Sequence, residues 1–137
     1  MAKRTEAYVD TSAFIAFLDR SDSYHLLFRR LFSDPPALAT SALVVAEGHG
    51  WFLKRYDGAR ALQFLAFVEE LKPLLIIDIG RAELESGAGL LRKFSDQDLT
   101  MTDAVGLHLM RSRRTRTCWS TDRHLRLPGV PLVVDEH

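Results

Sequence analysis

Ala7-Tyr8-Val9-Asp10-Thr11-Ser12-Ala13-Phe14-Ile15-Ala16-Phe17-Leu18 carries the plainest architectural signal in the chain. Residues 6–9 read as a short strand that ends on an acid. Phe14, Ile15, Phe17 and Leu18 then recur at helical spacing over 13–18, with Thr11 or Ser12 as the N-cap. A strand that passes straight into a helix is the repeating step of parallel α/β sheets. Working outward, a second helix starts at Asp22 or Ser23, buries Leu27, Phe28, Leu31 and Phe32, and stops at Asp34-Pro35-Pro36. Residues 37–40 form a very short strand. A helix capped by Thr40 or Ser41 follows to about Tyr56, and Asp57-Gly58 separates it from a helix over 59–71. Pro73 opens the clearest strand, 74–79. A weak glycine-containing helix over 81–94, a polar loop over 95–100 and a helix from Met101 or Thr102 to about Ser112 come next. Residues 115–121 form a strand, 122–125 a turn, and 130–134 a last strand after Pro128-Gly129. No repeat or linker interrupts this, so residues 1–137 read as one α/β domain with a mostly parallel central sheet.

Composition narrows the class. The 137 residues are 47% apolar and 26% charged, enough to bury a core in one soluble domain. Apolar runs are too short to span a bilayer, the first residues lack the long apolar stretch of a signal peptide, and the single cysteine, Cys118, has no partner. The expectation is a cytoplasmic protein that does not enter a membrane. Net charge is zero, so attraction to nucleic acid must be local. From Arg111 to Arg126 six arginines face one acid, Asp122. Arg111, Arg113, Arg114 and Arg116 are candidates for gripping a phosphate backbone, or are cations solvated at a helix C-terminus.

Sites in parallel α/β sheets form beyond the carboxyl ends of strands, so acids there carry the functional reading. Asp10 leaves the first strand where hydroxyls of Thr11 and Ser12 and free backbone amides can steady it, or it is the helix's own N-cap. At about 100° per residue, Glu47 falls about 40° from Leu43, between it and Trp51 at about 80°. That face is expected to pack inward, where an acid needs a metal ion or a buried arginine, or else Glu47 sits at the boundary of that face. Asp103 sits in Thr100-Met101-Thr102-Asp103, a capping-box pattern, yet shares a face with Leu107 and Met110. Asp122 follows Cys118-Trp119-Ser120-Thr121, again at a strand end.

Val9-Asp10-Thr11-Ser12-Ala13-Phe14, Val45-Ala46-Glu47, Leu99-Thr100-Met101-Thr102-Asp103-Ala104 and Ser120-Thr121-Asp122-Arg123-His124-Leu125 resemble the successive motifs of PIN domains, most closely the VapC-type toxins. The resemblance implies a three-layer α/β sandwich with a five-stranded parallel sheet ordered 3-2-1-4-5. It also implies that Asp10, Glu47, Asp103 and Asp122 bind Mg²⁺ or Mn²⁺ and hydrolyse RNA, leaving a 5′-phosphate and a 3′-hydroxyl. Thr11, Ser12, Asp98 and Thr121 are supporting candidates. Implied partners are an RNA substrate, a cognate antitoxin whose arginine enters the acidic pocket, and a second copy of the chain. The aromatic segment Trp51-Phe52-Leu53 with Tyr56 offers a homodimer contact, and Gly48 and Gly50 can mark a close approach there.

Asp78 ends a strand but lies two places from the first in that order, about 10 Å away, and reads as structural. Asp96 is a loop acid. His25, His49, His108 and His124 lack metal-ligand spacing, and hard cations prefer oxygen. A receiver domain would end its last strand on lysine, and a haloacid-dehalogenase phosphatase would need an acid where Ser12 stands. A housekeeping RNA-processing PIN nuclease and a PIN fold that binds RNA or protein without cleaving are the remaining alternatives.

Overall fold

In the computed structural model, residues 5–126 and 129–137 are described. Residues 1–4, where a signal peptide would begin, and Pro128, read as preceding the last strand, lie outside them. β1 (Ala7–Val9) passes through Asp10 into α1 (Thr11–Leu18), α2 (His25–Ser33) follows, and β2 (Leu38–Ser41) leads directly into α3 (Ala42–Arg55). α4 (Gly58–Glu70) returns the chain to β3 (Leu74–Ile77). α5 (Arg81–Lys93) and α6 (Met101–Arg113) precede β4 (Thr117–Trp119), and short 3-10 turns span Arg123–Arg126 and Val133–Asp135.

The sheet is parallel throughout, ordered β3-β2-β1-β4. The described residues therefore hold four strands, where five are expected from the sequence. Residues 130–134 contribute one parallel bridge, Leu132 to Cys118, beside β4. Pro131 explains the shortfall. Its carbonyl accepts from Cys118 N at 2.9 Å, but it has no N–H to extend the ladder, and the chain curls into a 3-10 turn at Val133.

Alternation along β1 divides the core into two. Ala7 and Val9 face an aromatic layer built by α1–α4, in which Phe14 stacks on Phe32 and meets Phe64 edge-on, both at 5.7 Å. Tyr8 points to the other side, among Val105, Leu107, Met110, Cys118 and Leu132. Two glycines set helix spacing. A Cβ on Gly48 would stand 2.4 Å from the Phe64 ring, so the close approach expected at a subunit contact is the α3–α4 contact inside this chain, and Gly50 meets nothing. A Cβ on Gly87 would stand 2.8 Å from Met101 Sδ, which is why the glycine-containing α5 lies so close to α6.

The expected apolar dimer patch is broken up in the same way. Phe52 is core and Trp51 is half-buried edge-on to it, while Leu53 and Tyr56 are exposed, Tyr56 with the Arg55 and Arg60 guanidiniums beside its ring. The edge strand β3 is a second apolar surface, with Leu75 50% and Ile76 38% exposed. No helix among the described residues is long and apolar enough to cross a membrane.

Candidate active site

Register builds the site. Val9 pairs with Trp119, so the next residues, Asp10 and Ser120, leave adjacent strands side by side, fixed by Asp10 N donating to Trp119 O at 3.0 Å. Asp10 is 5% exposed. Its Oδ2 accepts from Ser12 Oγ at 2.9 Å, from Ser120 Oγ at 3.0 Å and from Ser12 N at 3.5 Å. Each hydroxyl has one proton, and with both directed at Asp10 their lone pairs are available to the following loop. Thr121 N donates to Ser12 Oγ at 3.0 Å and Asp122 N to Ser120 Oγ at 2.9 Å. Two serines thus fasten the loop that carries Asp122 to the carboxylate that ends β1.

Asp10 is the N-cap of α1 and a buried acid at once, steadied by the Ser12 hydroxyl and not by that of Thr11. Thr11 and Ser12, expected to provide the cap, lie inside the helix. Asp103 has the same double character. Thr100 N donates to its Oδ2 and Asp103 N to Thr100 Oγ1, both at 3.1 Å, a complete capping box, and the residue is 8% exposed. Asp122 is half-buried, and its Oδ1 accepts from His124 N at 3.0 Å and lies 3.2 Å from His124 Nδ1.

Glu47 departs from expectation. It is exposed, because the buried stripe of α3 is Val44, Gly48 and Phe52, one residue on from the Leu43–Trp51 line on which Glu47 lies. Nothing forces a compensating charge upon it. It stands close enough to Asp103 to raise that acid's pKa, and so flanks the site from its solvent side.

The electrostatics single out two acids. Burial, then repulsion from Asp103, pushes Asp10 up from its ordinary 3.8 to about 6, against the lowering effect of the serine hydrogen bonds. Burial raises Asp103 as well, with Asp122 and Glu47 adding repulsion. Asp10 and Asp103 thus act on each other, and Asp122 and Glu47 act on Asp103. The donor chemistry of Asp10 and Asp103 suits a hard divalent cation: carboxylate oxygens, largely shielded from water, without a cationic partner among the described residues. Among the described residues, no three acidic, histidine or cysteine groups stand close enough to hold a metal jointly. One or two direct carboxylates with water completing the shell is the arrangement this geometry fits, and it is the usual one for Mg²⁺.

The supporting candidates separate. Ser12 bonds Asp10 directly, and Thr121 acts through its backbone N–H. Thr11 Oγ1 is buried without a partner among the described residues. Asp98 and Asp78 are exposed, Asp78 just past β3 at the far edge of the sheet. Arg111 and Arg113 close α6, at the end opposite Asp103, and Arg116 pairs with Glu6 at 3.1 Å before β1. Arg111, Arg113 and Arg116 thus lie away from the acids. Sequence reasoning does not find Ser120; its one signal is its place directly after a strand, matching that of Asp10 after Val9. Nor does it find Tyr8, buried beneath the pocket with its ring 3.1 Å from where a Cβ on Gly106 would lie.

The PIN domain family model matches residues 7–129. Ribonuclease VapC26 of Mycobacterium tuberculosis is 32% identical over 118 residues, covering 84% of this chain and 85% of its own. The crystal structure of M. tuberculosis VapC20, a sarcin–ricin loop cleaving toxin, superposes with a TM-score of 0.85 at 21% identity, covering 93% of this chain and 98% of that one. A toxin–antitoxin complex from Klebsiella pneumoniae superposes at 0.59 and 20% identity, covering 88% and 89%. A family match spanning the stretch from β1 past Asp122, together with a third of residues shared with a curated relative, settles the classification: the chain belongs to the PIN-domain family.

Proposed function

We propose that the chain is a divalent-metal-dependent endoribonuclease that acts as the toxin of a toxin–antitoxin pair, with Asp10, Glu47, Asp103 and Asp122 as its site. The observation that carries this is the buried Asp10 carboxylate. It is clamped by two serines at the end of the central strand and coupled to Asp103, with no cation among the described residues to neutralise either. Burying charge this way costs stability and is retained where a ligand or reaction uses it. Similarity to ribonuclease VapC26 supplies the substrate class.

Asp10 and Asp103 would hold Mg²⁺ or Mn²⁺, with Asp122 and Glu47 reaching it directly or through water. Bound there, the cation supplies the charge that lowers the pKa of a water and polarises a phosphate oxygen, a contribution of several kcal/mol. Ser12 and Ser120 keep the Asp10 carboxylate in one orientation. Glu47, on the exposed flank, would add negative charge on the solvent side of the cation.

An antitoxin partner belongs to this reading, on the likeness to the VapC relative and to the Klebsiella toxin–antitoxin complex. An arginine from that partner placed against Asp10 and Asp103 would occupy the cation's position. A homodimer is the oligomeric expectation, which sedimentation at tens of micromolar reads directly.

The test is RNA cleavage by the purified chain with Mn²⁺, with EDTA, and by Asp10→Asn. Cleavage that EDTA abolishes and that Asp10→Asn lowers by on the order of 10³-fold is expected. Undiminished cleavage in Asp10→Asn would contradict the reading.

A further inference from the structure

An acidic centre repels the substrate it is meant to cleave. Four carboxylates repel an RNA backbone, so binding must draw on cations placed elsewhere along the strand's path. The structure shows where such cations lie.

α1 and α3 start side by side, at the ends of the adjacent parallel strands β1 and β2, and pack against each other. Each leaves the acidic site, α1 from Asp10 and α3 past Glu47. Eight residues further on, about 12 Å along each helix axis, their ends meet. There Leu18, Asp19, Arg20, Ser21, Tyr56 and Arg60 line a cavity of about 480 Å³. A second cavity of about 600 Å³ shares Leu18 and Arg20 with it and adds Phe17, His25 and Arg29.

Arginine dominates both. Arg20, Arg29, Arg55 and Arg60 are all exposed. Tyr56 organises two of them: the Arg55 and Arg60 guanidinium carbons lie 4.9 and 5.5 Å from its ring centroid. One acid lies in the groove: Asp19 Oδ1 accepts from Ser21 N at 3.0 Å and Ser21 Oγ at 2.6 Å, and these bonds with Tyr56 and the Arg55 charge hold it ionised, so it offsets Arg55 and the groove keeps an excess of arginine. Asp57, nearby in sequence, caps α4 through Arg60 N. Planar guanidiniums held on an aromatic face suit bidentate bonds to phosphate.

We propose that Arg20, Arg29, Arg55 and Arg60 form a groove that grips the backbone of the single-stranded RNA substrate about two helical turns from the acids. The proposal rests on the ribonuclease reading and adds the surface that gives that site its affinity. Phe17 and Leu18, on the groove floor, offer apolar contact to a base.

The test reads binding without cleavage, so it stands apart from the nuclease assay. Labelled oligouridine is titrated into Asp103→Asn protein over a range of salt concentrations, with and without the added pair Arg20→Gln/Arg60→Gln. Affinity should fall, and the slope of log K against log salt should shrink by about 1.4, at about 0.7 for each single-strand phosphate that the two arginines no longer neutralise. Arg20→Lys/Arg60→Lys should recover most of that slope, which a misfolded protein would not do. The pair Arg92→Gln/Lys93→Gln, which removes equal charge at the end of α5, should leave it unchanged. An unchanged slope in the groove pair, or an equal decrease in the α5 pair, would overturn the proposal. So would loss of binding to a polyglutamate peptide with oligouridine binding intact, which would assign the groove to an acidic protein segment.

Discussion

The two ends of α6 make a natural comparison. At its first turn Asp103 is buried, engaged in its capping box, and pushed up by burial and neighbouring acids. At its last turn, about 15 Å away, Arg111 and Arg113 stand in solvent, and just beyond them Arg116 is paired with Glu6. Both ends are dense in charge along the sequence. Only one end holds charge that water and partners have not already satisfied. Density of charged residues therefore says little by itself, while desolvated charge without a counter-ion marks the place where the fold gives up stability.

The largest expected effect sharpens that contrast through pH. In the metal-free protein Asp10 has a folded pKa of about 6, above its ordinary 3.8, so the folded state holds the proton more tightly. The resulting stability is fully present below about 3.8 and is lost as pH rises through about 6. Urea midpoints in EDTA should therefore climb as pH falls across that window, by a difference on the order of 3 kcal/mol. Asp10→Asn should flatten the climb and be the more stable protein at pH 7. A flat profile in the unaltered chain would mean that the Asp10 carboxylate is not desolvated.

Ser120→Ala comes next. It removes a donor to Asp10 and leaves Asp122 N without its acceptor, while the carboxylates themselves remain. RNA cleavage should fall by about 10–100-fold, the usual cost of removing a hydrogen-bond partner of a metal ligand. Activity equal to the unaltered chain would show that Asp10 is positioned without Ser120.

The smallest effect belongs to the other end of the helix. The Arg116–Glu6 pair is exposed, so Arg116→Gln should change thermal stability by under about 1 kcal/mol and less still in high salt. A loss of RNA affinity in Arg116→Gln larger than that in Arg20→Gln/Arg60→Gln would reverse the comparison and return substrate binding to the end of α6.

How much of this is legible in the sequence differs by residue, for physical reasons. The step from β1 through Asp10 into α1 is readable because strand, acid and helix are contiguous. So is the capping box at Thr100 and Asp103, which is local in sequence. Glu47 reads onto the wrong face because the buried stripe of α3 runs through Gly48, which contributes no side chain to an apolar pattern; only the Phe64 ring packed on it shows that the face is buried. A fifth strand is overread because apolar residues 130–134 look like one, while pairing fails at Pro131 for lack of a donor. Ser120 and the arginine groove are hidden for another reason. They depend on register and on helix ends meeting across tens of residues, which periodicity does not report.

The central claim is that desolvated acids at the end of β1 and the start of α6 form a cation site. Mn²⁺ binding followed by electron paramagnetic resonance tests it most directly, on the unaltered chain, Asp10→Asn, Asp103→Asn and Asp78→Asn. The account predicts binding to the unaltered chain and to Asp78→Asn, and loss of at least about tenfold in affinity in each of the other two. Equal Mn²⁺ affinity in all four proteins, or loss confined to Asp78→Asn, would contradict it.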